Sequence, residues 1–166
     1  TTLIPAVVPH KHISSPFARL TYDQAMARFG SDKPDLRFGM ELYDVADAVA
    51  HCGFQVFTAA LQSGGQVKGI RVPGCANYTR KQIDELTAMA KAKGAKGLAT
   101  IALAAEGIKS PIAKFLSDAE MRAVVDRLQG QTGDLLLLVA DKSQVVASAL
   151  GTLRLELGRR LNLVDK

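Results

Sequence analysis

The stretch Asp134 to Ala140, which reads Asp-Leu-Leu-Leu-Leu-Val-Ala, constrains the fold more than any other part of the chain. Side chains alternate between the two faces of a β-strand, so a strand apolar at every position from Leu135 to Ala140 has to be covered on both faces. The run is far too short to cross a bilayer and too uniformly aliphatic to lie on a solvated sheet face. It predicts a central strand buried under helices, and the rest of the sequence has to supply them.

Three helix starts carry the same local chemistry. Thr21 with Gln24, Thr79 with Gln82, and Ser117 with Glu120 each place a hydroxyl residue three positions before a residue whose side chain can reach back to it, the arrangement of a capping box. Behind these starts lie apolar stripes at helical spacing: Ala25, Met26 and Phe29; Ile83, Leu86 and Ala90; Met121, Val124, Val125 and Leu128. Gly30, Gly94 and Gly130 are read as the corresponding stops. A helix around Asp44 to Ala50, a helical turn over Phe54 to Leu61, and a last helix with Val146, Leu150, Leu153, Leu157 and Leu161 along one side complete the set. Ser143 is expected to cap that last helix. Strands are predicted at Leu36 to Leu42, Val67 to Val72 and Leu98 to Ala105, alongside the aliphatic one. Strand–helix alternation of this kind by itself suggests a parallel sheet, although five or six elements suffice for either arrangement.

Residues 1–16 hold three prolines, His10 and His12, and no helical period, and so read as an irregular arm. Gly64-Gly65 is the clearest hinge. The expected division is an arm over 1–16, a connecting segment over 17–64, and a main body with a final helix over 65–166. At 166 residues with 48% hydrophobic and 22% charged content the chain has the composition of a folded domain. No apolar run approaches the roughly 20 residues of a membrane span, and no secretory leader pattern opens the sequence, so the expected location is cytoplasmic. Two cysteines, Cys52 and Cys75, are too few and too far apart for a zinc cluster or a redox pair, and His51 beside Cys52 fits packing or solvation better than catalysis. No metal ligand set is assigned.

A formal charge of +5 favours a polyanionic partner, although many basic proteins bind no nucleic acid. The one basic cluster with glycines is Lys91-Ala92-Lys93-Gly94-Ala95-Lys96-Gly97. Its ammonium groups and backbone amides could approach phosphates, and Gly94-Ala95-Lys96-Gly97 matches a four-residue loop that some RNA-binding folds use to clamp nucleotides. The same stretch is equally a helix end with dipole-complementing lysines and a capping glycine. Arg71, Lys91, Lys93 and Lys96 are the candidates for RNA contact. Ser110 and Ser143 lack a nearby histidine, and no catalytic residue is assigned.

The segment Gly30-Ser31-Asp32-Lys33-Pro34-Asp35-Leu36-Arg37-Phe38-Gly39-Met40-Glu41-Leu42 is a dense run of charges and turn formers that no generic element requires. It resembles a segment of bacterial-type aspartyl-tRNA synthetases that leads into a domain inserted in the catalytic core. Val67-Lys68-Gly69-Ile70-Arg71-Val72-Pro73-Gly74 and Thr79-Arg80-Lys81-Gln82-Ile83-Asp84 resemble the opening strand and helix of that insertion, the GAD domain. Further segments, including Ser110 to Leu116, Gly133 to Asp141 and Ala149 to Arg154, follow in the family's order. Several segments in one order are more specific than a single short motif.

The resemblance implies an α+β fold: a two-layer GAD-type insertion with a largely antiparallel sheet covered by helices, flanked by segments of the catalytic core. It implies a homodimeric parent enzyme that uses ATP and magnesium to join aspartate to its tRNA during translation. The F-R-x-E and G-x-G-x-x-R patterns of class II catalysis do not occur in these residues, so the expectation is a fragment inactive alone, binding no cofactor. Its partners would be the parent's catalytic domain and tRNA. Two rivals remain: a GAD-containing subunit of a tRNA-dependent amidotransferase, against which the Gly30–Leu42 segment argues, and a self-standing protein or RNA interaction domain.

Overall fold

The computed structural model describes residues 18–164; the arm over 1–16, with His10 and His12, lies outside them. Among the described residues, six α-helices and five strands follow one another as α1 (Tyr22–Phe29), β1 (Tyr43–Asp44), α2 (Ala46–Val49), α3 (Gln55–Gln62), β2 (Gln66–Val72), α4 (Arg80–Ala92), β3 (Ala99–Ala104), β4 (Gly107–Lys109), α5 (Asp118–Arg127), β5 (Leu135–Asp141) and α6 (Ser143–Arg160). The strands form one sheet in the order β1-β2-β5-β3-β4. Every pairing is antiparallel, with Ile70 opposite Leu137 and Ile101 opposite Leu136. The class is therefore α+β, as the resemblance implies.

The aliphatic strand is the middle of this sheet, and its two sides feed two cores. Leu135, Leu137 and Val139 join Ile70 and Val72 against Leu86 and Ala90 of α4 and Val146, Leu150, Leu153 and Leu157 of α6. Leu136 and Leu138 join Val67 and Ile101 against Val49 of α2, Phe57 of α3, and Met121 and Val124 of α5. Full burial of such side chains contributes roughly 1.5–3 kcal/mol each before ordering costs. The two-layer expectation thus needs correcting to helix, sheet, helix. The physical reason is β5 itself, since no strand apolar at every position can leave one face in water.

All three capping boxes form: the Thr21, Thr79 and Ser117 hydroxyls accept from the amides of Gln24, Gln82 and Glu120, whose side chains accept in return from the cap amides. Gly30 ends α1 in the left-handed region at φ 69°. Three expectations fail locally. The last helix takes Lys142 as its cap with no side-chain bond, so Ser143 is its first residue and not its cap. After α5 the left-handed position is Gln129, at φ 54°, with Gly130 following it. Leu36 to Leu42 forms no strand; only Tyr43 and Asp44 join the sheet. A hairpin strand, β4, follows β3 through Gly107 at φ 131°.

Candidate functional site

The Gly30–Leu42 segment is wrapped around a single buried cation. Arg154 of α6 is 1% exposed. Its Nε donates to the Met40 carbonyl at 3.1 Å, and Nη2 to the carbonyls of Asp35, Phe38 and Gly39 at 2.8, 2.9 and 2.9 Å. The Phe38 and Phe29 rings lie 4.2 and 4.9 Å from the guanidinium carbon, within cation–π range. This explains the missing strand. Carbonyls of successive strand residues point in opposite directions, whereas these four converge on one group, and Met40 adopts φ 62° to complete the turn. Burial pulls the Arg154 pKa down from its ordinary value, and Asp35 and Glu41 oppose that pull.

The helix surface under the loop is cleared by glycines. A Cβ on Gly151 would stand 2.7 Å from the Gly30 oxygen, and one on Gly158 would stand 2.5 Å from the Phe38 ring. Gly151, Arg154 and Gly158 fall on one helical face, three and four residues apart. Around the rim, Arg28 grips Glu41 through two bonds of 2.7 and 2.6 Å, and the Leu42 amide donates to the Arg28 carbonyl at 2.7 Å. Arg37 bonds both oxygens of Asp35 at 3.0 and 2.7 Å and holds its carboxyl down to about 2. Lys68 of β2 is 9% exposed and donates to the Ala27 carbonyl at 3.1 Å, tying α1 to the sheet.

The four RNA-contact candidates do not form one patch. Arg71 shares its face of β2 with Val67, on the α5 side of the sheet. There its Nε stands 2.8 Å from Oδ2 of the buried Asp134, and Nη1 donates to the Gln129 carbonyl at 2.9 Å. Asp134 also accepts from the Gly74 and Gln131 amides at 3.1 and 3.0 Å, so the pair pins two turns to the sheet. Lys91, Lys93 and Lys96 are exposed where α4, on the other side, runs into β3. Lys93 caps α4, and Gly94 follows at φ 94°, so the helix-end reading describes this backbone well.

Lys96 stands at the rim of a cleft of about 240 Å³ with mostly apolar walls, among them Phe54, Val56, Leu98, Pro111 and Leu138. Phe54 meets Phe57 edge-on at 4.9 Å between ring centres. Among the described residues no group of three or more His, Cys, Asp or Glu side chains could hold a metal ion, and no helix is long and apolar enough to cross a membrane. Ser110 donates to the Thr100 carbonyl at 2.7 Å and serves the turn after β4. Both cysteines are buried thiols, with pKa values pushed up by desolvation.

Sequence reasoning missed Arg154 and the cleft. A signal for Arg154 was present in the glycines flanking it at −3 and +4 inside an otherwise well-formed helix, since a glycine there costs about 1 kcal/mol unless something packs against it.

A family model described as the GAD domain matches residues 57–150. Among curated proteins, the chain is 58% identical over 153 residues to the aspartate–tRNA(Asp/Asn) ligase of Moorella thermoacetica, covering 92% of this chain and 26% of that protein. It is 60% identical over 152 residues to the ligase of the same name from Symbiobacterium thermophilum, covering 91% of this chain and 26% of that protein. A third, from Heliobacterium modesticaldum, is 54% identical over 171 residues, covering 99% and 28%. The chain thus spans about a quarter of the length of these relatives.

Proposed function

The chain belongs to the GAD domain family, and on that premise we propose that it is the inserted accessory module of a longer aspartate–tRNA ligase. In this reading, residues 17–64 are the connection from the catalytic core, and 65–166 are the insertion with its return helix. The observation that carries it is the extent of the likeness. Identity of 54–60% runs over more than nine-tenths of the chain, so it takes in the Gly30–Leu42 segment outside the 57–150 family match. An amidotransferase subunit would share the matched region without explaining that segment. The chemistry of the join supports the reading too, because a loop bound to α6 by Arg154 delivers the module at a fixed angle to whatever precedes it.

The intact enzyme would be a cytoplasmic homodimer that joins aspartate to its tRNA with ATP and magnesium. Among the described residues no cluster of carboxylates fits that ion; the buried Arg154 and Lys68 are committed to carbonyls, and the half-buried Arg71 to Asp134. The ligase chemistry is expected to lie outside these residues, and the chain alone to be inactive. What the module offers is a lysine-bearing edge for tRNA phosphates. If Lys91, Lys93 and Lys96 each meet one phosphate, log K for tRNA falls against log[salt] with a slope of about −2 to −3.

The test is a chimera of the Moorella thermoacetica ligase in which this chain replaces the matching segment. Aspartylation of tRNA should persist. A chimera that folds and dimerises but cannot charge tRNA overturns the assignment, and salt-insensitive or undetectable tRNA binding removes the lysine edge.

A further inference from the structure

We propose that the cleft beside Lys96 is a slot for one unpaired base of an RNA strand, an inference that rests on the RNA-contact reading and gives it a chemical partner. The floor of the cleft carries the argument. The Val45 amide bonds to the Val67 carbonyl at 3.0 Å, so Val67 turns both backbone groups toward β1. Ala140 lies opposite Val67, which makes the two a non-hydrogen-bonded pair and turns the Ala140 N–H and C=O toward β3. The Leu103 amide, bonded to the Asp134 carbonyl at 2.9 Å, fixes the same alternation at the far end. β3 begins at Ala99 opposite Leu138, so the position facing Ala140 falls at Gly97, before the strand starts. The ladder offers these two groups no partner. Buried backbone donors and acceptors require one, and Ala140 is 7% exposed at the bottom of the cleft.

A neighbouring donor and acceptor at the end of an apolar slot match the pairing edge of a base, which itself presents a donor beside an acceptor. The Phe54, Val56, Leu98 and Pro111 walls suit the faces of a flat ring. At about 240 Å³ the space lies below the roughly 300–1,000 Å³ of drug-sized pockets and suits a single ring system. Lys96 at the mouth supplies the positive charge that the attached phosphate needs.

The test uses the whole 166-residue chain, isotope-labelled, with a short oligoadenylate, an abasic ribose-phosphate strand of equal length, and tRNA. Oligoadenylate should bind about tenfold more tightly than the abasic strand, and should shift the amide resonances of Ala140, Gly97 and Thr100. Val56→Glu, at a position 48% exposed, should leave the melting temperature in place yet reduce oligoadenylate to the abasic level. Lys96→Gln should weaken both strands alike. Equal binding of the two strands, or an unmoved Ala140 amide, overturns the base slot while salt-dependent tRNA binding keeps the phosphate reading. Failure of every strand, tRNA included, overturns that reading and the slot together.

Discussion

Replacing Arg154 with methionine should be the most damaging single change to the join between the Gly30–Leu42 loop and the domain. The guanidinium makes four bonds of 2.8–3.1 Å to carbonyls. One N–H on Nε and two on Nη2 serve these four carbonyls, and at about 1.5–3 kcal/mol per N–H donated from a charged group they contribute roughly 4.5–9 in all. Taking the cation out of water costs several kcal/mol in return. Methionine recovers part of the apolar contact with Phe29 and Phe38 and leaves four carbonyls without a donor. The expected net loss is about 3–5 kcal/mol, within the range for breaking a buried polar arrangement. For a chain of this size that lowers the melting temperature by about 6–20 °C. Arg154→Lys should fall between the two, since an ammonium has three donors and no planar fork. Chemical denaturation gives the magnitude, and hydrogen exchange locates it: the Leu42 amide, bonded to the Arg28 carbonyl, should lose protection before the β5 amides do. A methionine variant within about 0.5 kcal/mol of the parent chain, the scale of an ordinary surface substitution, would refute the claim that this cation organises the loop.

Three further outcomes follow from the same structure. Gly158→Ala puts a Cβ 2.5 Å from the Phe38 ring and should cost about 1–3 kcal/mol by overpacking, read by denaturation, whereas alanine at Gly97, where a Cβ meets nothing within 4 Å, should be close to neutral. Asp35 and Glu156 are both held down to about 2, by hydrogen bonds from Arg37 and from Arg159 and Arg160. Because these pKa values are depressed on folding, their stabilisation is complete above about pH 5, beyond the unfolded values of both groups, and fades as pH falls toward 2. The denaturation midpoint should track that window, and Glu156→Gln should flatten it. Cys52 and Cys75 should resist thiol reagents in the native state and react fully in denaturant, while Tyr78, pushed up to about 12 mainly by burial, should ionise well above the ordinary tyrosine range by ultraviolet absorbance.

What could be read from the sequence was whatever local chemistry decides. Capping boxes need only residues three apart, so Thr21, Thr79 and Ser117 announced their helices. The Leu135–Ala140 run announced a strand covered on both sides, and taken by itself it implied the third layer that the resemblance omitted. Strand direction was not local, and only the register of Ile70 with Leu137 and of Ile101 with Leu136 decides it. The Leu36–Leu42 alternation misled because its spacing serves a distant cation, more than a hundred residues along the chain. Ser143 misled because an N-cap is chosen by the backbone angles at the helix start, and the chain reaches those angles at Lys142. The cleft is invisible to pattern reading, since a missing ladder partner exists only once two strands of unequal reach are paired.

The strand that everything else leans on is also the last to be made. β2 ends at Val72 and β5 starts at Leu135, so at about 5–20 residues per second a ribosome leaves the earlier strands waiting for several seconds. During that interval β2 and the β3–β4 hairpin have no shared neighbour, and their apolar faces are open to other chains. α6 emerges later still, so the Gly30–Leu42 loop is locked only when the domain is otherwise finished. The contact between that loop and α6 thus closes only after the sheet beside it is complete.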